Sequence, residues 1–216
     1  RHGDPSYEDL VGMGYLSSAI VNYVSLLGWS PKGEREIFSL AELEQAFSID
    51  GISKSPSVFD YDKLNWFNGE YIRAMSQEAF IEKAMPYFRE VFPEGERDWN
   101  VLAGILQPRI TKFTEIPGLL SFFRERPEYP AEFFINKKSK TNLENSGAML
   151  QAAIELLEAL PQWKLEDIHD GLIGLAQKLE VKNGTLLWPV RIAAAGVQVT
   201  PGGAMEILTL LGKEEA

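Results

Sequence analysis

The feature that most constrains the fold of this chain is the helical spacing of its apolar residues. Between residues 15 and 27, apolar side chains recur at steps of three and four, which places them on one face of a helix. They are Tyr15, Leu16, Ala19, Ile20, Tyr23, Val24 and Leu27. Gly28 and the Ser30-Pro31 pair after it are typical of a helix end. We therefore predict a helix that buries this face and ends at Gly28.

Helical patterns continue along the rest of the chain. Ser39 and Glu42 have the spacing of a capping box, and Asp60 is placed to cap a helix around residues 63–67. Further helices are predicted over residues 77–91, 99–107, 114–123, 143–160, 165–179, 187–195 and 205–211. The alternation of polar and apolar residues that indicates strands is scarce. The predicted fold class is therefore mostly α.

Glycine and proline predict interruptions within this helical pattern. Asn68-Gly69 is a turn signal, and Pro86 is expected to kink or divide its helix. Gly184 is expected to break the chain, with the next helix starting near Pro189. The helix over 143–160 is predicted to bury a face made of Leu150, Ile154 and Leu157.

Composition excludes several classes of protein and site. Hydrophobic residues make up 45% of the 216 positions, which is enough for a globular core. The chain has no cysteine, and its two histidines, His2 and His169, lie far apart, so we predict no disulfide and no metal site. No apolar run approaches the length of a membrane span, and the first residues do not resemble a signal peptide. We therefore expect a cytoplasmic protein with no membrane contact.

The formal net charge of −10 argues against general nucleic-acid binding, which depends on the neutralisation of phosphates by Lys and Arg. Any RNA contact must then be local, on basic and aromatic residues within an acidic body. Two other classes stay open at this point. One is an acidic helical protein-interaction module, and the other is a small-molecule enzyme with a helical fold.

The segment over residues 52–73 is unusually rich in aromatic residues and cations. It reads ISKSPSVFDYDKLNWFNGEYIR and resembles the segment that follows the catalytic domain in bacterial glutamyl-tRNA synthetases. Upstream, Arg1-His2-Gly3 and the stretch GYLSSAIVNYVSLLGWS at 14–30 are similar to the end of that family's ATP-binding loop and the helix after it. The resemblance implies that Arg1, His2 and Gly3 are the remnant of the ATP loop.

The resemblance also implies a domain organisation. Residues 1–75 would form a helical domain that contacts the tRNA stem. Residues 76–160 and 161–216 would form two helical subdomains of an anticodon-binding cage. The lysines and serine that contact ATP in the family are not in this sequence, so we expect a non-catalytic fragment that lacks the catalytic domain.

Near the C-terminus, WPVRIAAAG at 188–196 and the Thr200-Pro201-Gly202 loop resemble the family's anticodon signature. The resemblance implies that Arg191 and Thr200 line the site for splayed anticodon bases, whose exposed edges an Arg fork and a hydroxyl can read. Without that role, Arg191 would form an ion pair on a helix face and Thr200 would cap its loop. Gly203 and Val197 depart from the family pattern.

Three further basic sites have alternative interpretations. Arg109 aligns with a family position associated with the third anticodon base, or it is a helix-end cation that binds terminal carbonyls. Lys63 and Arg73 would contact the tRNA stem, or they hold a packed corner together with Trp66 and Tyr71. The Lys137-Lys138-Ser139-Lys140 cluster is a phosphate patch or a solvated loop tip.

The resemblance places the ATP loop at residue 1, so Ser53-Lys54-Ser55 is not assigned to it.

Taken together, the resemblance implies the tRNA-binding part of a glutamate–tRNA ligase. The intact enzyme uses ATP and Mg²⁺ to activate glutamate as an adenylate and transfers the glutamyl group to its tRNA. This chain would select and orient glutamate tRNA without a cofactor of its own, as a monomer.

Overall fold

The computed structural model describes residues 5–54, 57–125 and 127–216. Across these residues the chain is built from helices and connecting loops, and no strand is present; two isolated antiparallel bridges join Trp29 to Ile52 and Asn136 to Thr141. The prediction of a mostly α fold is confirmed. The chain forms two compact units: Arg1–Tyr87 with Gln107–Ile116, and Phe88–Leu106 with Pro117–Ala216. The three predicted domains stay a prediction.

The N-terminal part of the chain carries five α-helices. They are α1 (Tyr7–Gly12), α2 (Ser17–Gly28), α3 (Leu40–Ala46), α4 (Tyr61–Arg73) and α5 (Gln77–Val91). Helix α2 packs on α4 around a core of Leu10, Tyr15, Ile20, Tyr23, Leu64 and Phe67. Of the predicted apolar face of α2, Tyr15, Ala19, Ile20 and Tyr23 are buried, Leu16 and Leu27 are half-buried, and Val24 is 47% exposed.

The predicted caps of this unit are present. The Ser39 hydroxyl accepts the Glu42 N–H while the Glu42 carboxylate accepts the Ser39 N–H, as in a capping box. The Asp60 side chain accepts the N–H groups of Asp62 and Lys63 at the start of α4. These bonds satisfy N–H groups that have no partner within the helix.

Two predicted interruptions do not divide their helices. Asn68-Gly69 lies inside α4, where the buried Asn68 amide accepts the N–H of Leu16 and donates to the carbonyl of Thr111. Pro86 lies inside α5, which continues to Val91. Pro86 is exposed, so the carbonyl that loses its helical partner can be hydrated.

The C-terminal part of the chain carries six α-helices among the described residues. They are α6 (Trp99–Leu106), the one-turn α7 (Ile116–Leu119), α8 (Leu143–Glu158), α9 (Leu165–Lys178), α10 (Asn183–Ala195) and α11 (Ala204–Leu211). Helix α10 packs against α8, α9 and α11. Their shared core includes Ala153, Ile168, Leu172, Leu186, Val190 and Ile207.

Three details of this region differ from the sequence prediction. Residues 113–123 form short 3₁₀ and α turns rather than one helix. Helix α10 begins at Asn183, and Pro189 lies buried inside it, because Thr185 and Leu186 in its first turns are held in the core. Ile154 is 49% exposed, whereas Ala153 is buried. The small Ala153 side chain faces the neighbouring helices, which rotates Ile154 outward.

Candidate nucleic-acid interface

Helix α10 and the loop after it position the two residues of the predicted anticodon site. The helix ends at Gly196, whose φ of 69° is left-handed, and the Gly196 N–H donates to the Ile192 carbonyl. A Cβ atom at position 196 would also lie only 2.9 Å from Pro127. Glycine is therefore favoured here for two reasons, the left-handed backbone and the lack of space for a side chain. The loop then leads into α11, where the Gly203 N–H donates to the Glu206 carboxylate.

Arg191 and Thr200 are brought into direct contact at this helix end. Arg191 Nη1 donates to Thr200 Oγ1 at 2.8 Å, and Nη2 donates to the Gln198 carbonyl at 2.9 Å. The Thr200 hydroxyl in turn donates to the Gly202 carbonyl at 2.7 Å. The guanidinium carbon of Arg191 lies 4.6 Å from the centre of the Trp188 ring. The loop, the threonine and the arginine therefore form one hydrogen-bonded unit.

The partners of Arg191 leave its positive charge uncompensated. Within the described part of the chain, no carboxylate forms an ion pair with it, and the acceptors it contacts are neutral oxygens. Burial lowers the pKa of the Arg191 guanidinium from its ordinary value, yet arginine keeps its charge in proteins. This arrangement combines a fixed N–H fork with a full charge, which suits an anionic or oxygen-rich ligand.

The two departures from the family pattern have structural roles here. Gly203 is the N-cap residue of α11, and Val197 is partly buried against the core of the second unit. Thr200 caps its own loop through the Gly202 carbonyl, as its alternative interpretation required, and it contacts Arg191 at the same time. The two interpretations of Thr200 are therefore compatible.

Arg109 lies in the other unit, in the exposed turn that follows α6. The side chain of Gln107 anchors this turn by donating to the carbonyls of Ile72 and Met75 at 3.0 and 2.9 Å. Ile110 on the other side of Arg109 is fully buried. The backbone of the turn is thus held on both sides of the arginine, and the role of Arg109 in binding stays a prediction.

Lys63 and Arg73, the two predicted stem-contact residues, are both paired with carboxylates. Lys63 Nζ lies 2.7 Å from Glu36 Oε1, and Arg73 Nη2 lies 2.5 Å from Glu70 Oε1. A side chain at Gly69 would meet the Arg73 guanidinium at 2.9 Å, so the glycine within α4 makes room for this pair.

The two aromatic residues of the same corner differ in burial. The Tyr71 hydroxyl lies 2.8 Å from Asn22 Oδ1 and 2.5 Å from the Phe38 carbonyl, which ties α4 to the segment after α2. Burial raises the pKa of Tyr71 from its ordinary value. Trp66 is 43% exposed and packs edge-on against Phe67. The packed-corner interpretation therefore describes Tyr71 better than it describes Trp66.

Comparison with known proteins identifies the family of the chain. The family model described as an anticodon binding domain matches residues 79–216, which is more than half of the sequence. The chain belongs to this anticodon-binding domain family. A second model, the catalytic domain of class I tRNA synthetases (E and Q), matches residues 1–66. The expectation that the catalytic domain is absent is therefore confirmed only in part.

Individual relatives agree with the anticodon-binding domain family. Glutamate–tRNA ligases of Clostridium botulinum and Clostridium tetani are 49% and 46% identical to this chain over 215 residues. Both alignments cover 100% of this chain and 44% of the relative, so the chain spans less than half of their length. A crystal structure of a glutamate tRNA ligase from Elizabethkingia meningosepticum matches with a TM-score of 0.77 at 28% identity. That match covers 95% of this chain and 40% of the other.

The remaining sequence predictions concern residues outside the described part or absences within it. Arg1, His2 and Gly3, the predicted ATP-loop remnant, lie outside the described residues, as does Ser55. Among residues 5–54, 57–125 and 127–216, no grouping of acidic and histidine side chains could hold a metal ion. In the same ranges, no helix is both long enough and apolar enough for a membrane span.

Trp188 was missed as a site residue by sequence reasoning. Its indole N–H donates to the Phe133 carbonyl at 2.9 Å, which fixes the ring beneath the Arg191 guanidinium. Trp188 precedes Arg191 by three positions on one helix, a spacing that places two side chains on the same face. This spacing was a usable signal, because arginine over a tryptophan face is a favourable cation–π pair.

Proposed function

We propose that this chain is the tRNA-recognition part of a glutamate–tRNA ligase. Arg191 and Thr200 bind unpaired anticodon bases, Arg109 contacts the third anticodon base, and Lys63 and Arg73 contact the tRNA stem. The observation that carries the proposal is the Arg191–Thr200 pair. The charged Arg191 guanidinium donates to two neutral oxygens, and its helix lies in the region that matches the anticodon-binding domain family.

The chemistry of the pair suits single-stranded RNA. Bases that leave the stack expose their Watson–Crick edges, which carry acceptors and donors in fixed patterns. Arg191 Nη1 and Nη2 are held by Thr200 and Gln198, so the orientation of the fork is set before RNA arrives. A base can also stack on the guanidinium plane, whose other face is supported by Trp188.

The acidic composition is compatible with this function because recognition is local. A net charge of −10 weakens long-range attraction to RNA, so we expect modest affinity with marked dependence on salt. The alternative of an acidic protein-interaction module gains no support from the family match.

In the intact enzyme, ATP and Mg²⁺ would act in the additional half that the longer relatives contain. The described residues here include no group suited to hold Mg²⁺. We propose that this chain selects and orients glutamate tRNA, without catalysis of its own, as a monomer in the cytoplasm.

Filter binding of this chain to glutamate and glutamine tRNAs across a salt series tests the proposal. We expect tighter binding to glutamate tRNA, and a loss of roughly 10- to 100-fold in Arg191→Ala, because one bidentate base contact is worth about 1–3 kcal/mol. Arg89→Ala is the matched control, since Arg89 lies in the same unit but is paired with Glu96. Equal or absent binding to both tRNAs, unchanged by Arg191→Ala, would remove the anticodon assignment.

A further inference from the structure

A second basic element of the second unit, the turn at residues 137–140, has a defined structure. Its ends are closed by paired backbone hydrogen bonds between Asn136 and Thr141, at 3.2 and 3.0 Å. Inside the turn, the Asn136 side chain accepts the Ser139 N–H at 2.9 Å. Lys140 takes a left-handed φ of 57°, which a tight turn of this kind requires. The KKSK sequence is therefore a structured turn whose three lysines are exposed to solvent.

The same turn is attached to the first turn of α10. The buried Thr185 hydroxyl donates to the Ser139 carbonyl at 2.7 Å. Gly184 lies close to Ser139: a Cβ atom at position 184 would be 3.5 Å from the Ser139 hydroxyl. Trp188, one turn further along α10, is bonded to the Phe133 carbonyl just before the turn. One hydrogen bond and one close contact thus join the lysine turn to the helix that carries Arg191, and a second hydrogen bond joins that helix to the segment before the turn.

A cleft of about 440 Å³ lies between the turn and the helix. It is lined by Asn136, Lys138, Ser139, Lys182, Gly184, Trp188 and Arg191. Three of these seven residues are cations, and none is acidic. In the described parts of the chain, neither Lys138 nor Lys182 forms an ion pair. The N–H groups at the start of the 13-residue helix α10 add further positive potential.

We propose that this cleft binds a backbone phosphodiester of single-stranded RNA, next to the base held by Arg191 and Thr200. The inference rests on the proposed function, since it assigns the phosphate that accompanies the recognised base. Lys138 and Lys182 supply compact charges that position a phosphate without reading sequence. Arg191 and Trp188 form the wall that the cleft shares with the base site.

The chain offers a matched control for this site. Lys137 belongs to the same turn as Lys138, and Lys178 ends the helix just before Lys182, yet neither residue lines the cleft. The pair Lys138→Ala/Lys182→Ala and the pair Lys137→Ala/Lys178→Ala therefore remove equal charge from neighbouring surface positions. Thermal melting establishes that both variants are folded.

The test measures binding of the full chain to the anticodon stem-loop of glutamate tRNA across a salt series. We expect Lys138→Ala/Lys182→Ala to bind about tenfold more weakly. The slope of log affinity against log salt should shrink by roughly 1.4, since each contact with a single strand contributes about 0.7. The control pair should stay within about twofold of the unchanged chain. Preference for the intact anticodon over a substituted one should persist in both pairs, because phosphate contacts carry no sequence information.

Each contrary result has a distinct meaning. If the two pairs lose affinity equally, the lysines act through general charge and the phosphate site is refuted. If the chain binds the stem-loop and Arg191→Ala abolishes anticodon preference while Lys138→Ala/Lys182→Ala has no effect, only the phosphate site is refuted. If the unchanged chain does not bind the stem-loop, the proposed function falls and this inference with it. Should the double variant unfold, each single variant must reduce the slope by roughly 0.7.

Discussion

The candidate RNA-binding cations of the two units differ in what holds them in place. In the first unit, Lys63 and Arg73 each contact a carboxylate, Glu36 or Glu70. In the second, Arg191 is held by the Thr200 hydroxyl and the Gln198 carbonyl, which carry no formal charge. An RNA phosphate must compete with a carboxylate for Lys63 or Arg73, whereas Arg191 keeps its charge available.

This difference bears on how much binding energy each cation could gain from contact with RNA. A solvent-exposed ion pair contributes about 0–1 kcal/mol to stability, so pairing does not prevent Lys63 or Arg73 from contacting RNA. It does reduce the gain from such a contact. Arg191 loses no ion pair on binding, and its orientation is already set by two hydrogen bonds. We therefore expect the second unit to dominate affinity and specificity.

Replacing the fork of Arg191 while keeping its charge is the strongest way to test this comparison. In Arg191→Lys, one ammonium group cannot reproduce the two-pronged contact with Thr200 and Gln198. We expect glutamate tRNA to bind roughly tenfold more weakly, corresponding to the loss of about 1.4 kcal/mol. Filter binding measures the effect, with Arg89→Lys as the control. Full affinity in Arg191→Lys would mean that charge alone matters and that the prepared geometry is irrelevant.

Releasing a cation of the first unit from its carboxylate should have a smaller effect of opposite sign. Glu36→Gln frees Lys63 and removes one negative charge, so we expect a two- to threefold gain in tRNA affinity at low salt. Lys63→Ala should lower affinity by a similar factor, equally for all tRNA sequences. The double variant separates the two effects in binding assays. If Glu36→Gln gives no gain, Lys63 belongs to the packed corner and does not contact the stem.

The smallest expected effect concerns the stability of the first unit at low pH. Glu42 has its pKa lowered from 4.5 to about 2, chiefly by its hydrogen bond from Arg35 and then by the Ser39 N–H and hydroxyl. Because the folded pKa is depressed, this contribution is fully present above about 4.5 and is lost as the pH falls toward about 2.

Urea unfolding at several pH values measures the contribution of Glu42. Glu42→Gln should be less stable than the unchanged chain near neutral pH, and the difference should shrink below about 4.5. Glu44→Gln removes the same charge from the same short helix and is the control. A constant difference at every pH would mean that the pair with Arg35 and the cap contribute nothing that depends on charge.

Structural features that depend on residues close together in the sequence could be predicted, and features that depend on distant residues could not. Helices α5, α8 and α9 begin and end close to their predicted positions, because the periodic apolar residues that indicate a helix act over a few residues. The behaviour of Asn68-Gly69, Pro86 and Ile154 could not be predicted in this way. Asn68 is satisfied by groups on distant segments, and Ile154 is turned outward by the packing of Ala153.

The order of amino acids alone indicated the helical class and the caps, because these depend on local spacing. Arg191 and Thr200 became candidate site residues through the resemblance of a short motif to the synthetase family. Packing added the hydrogen bond between that arginine and threonine, and the lysine cleft beside it. These features join residues that are separated along the chain, and their distances follow from how helix α10, its loop and the lysine turn pack together. The motif therefore indicates which residue types the site contains, while the fold decides that Arg191 is held by neutral oxygens and not by a carboxylate.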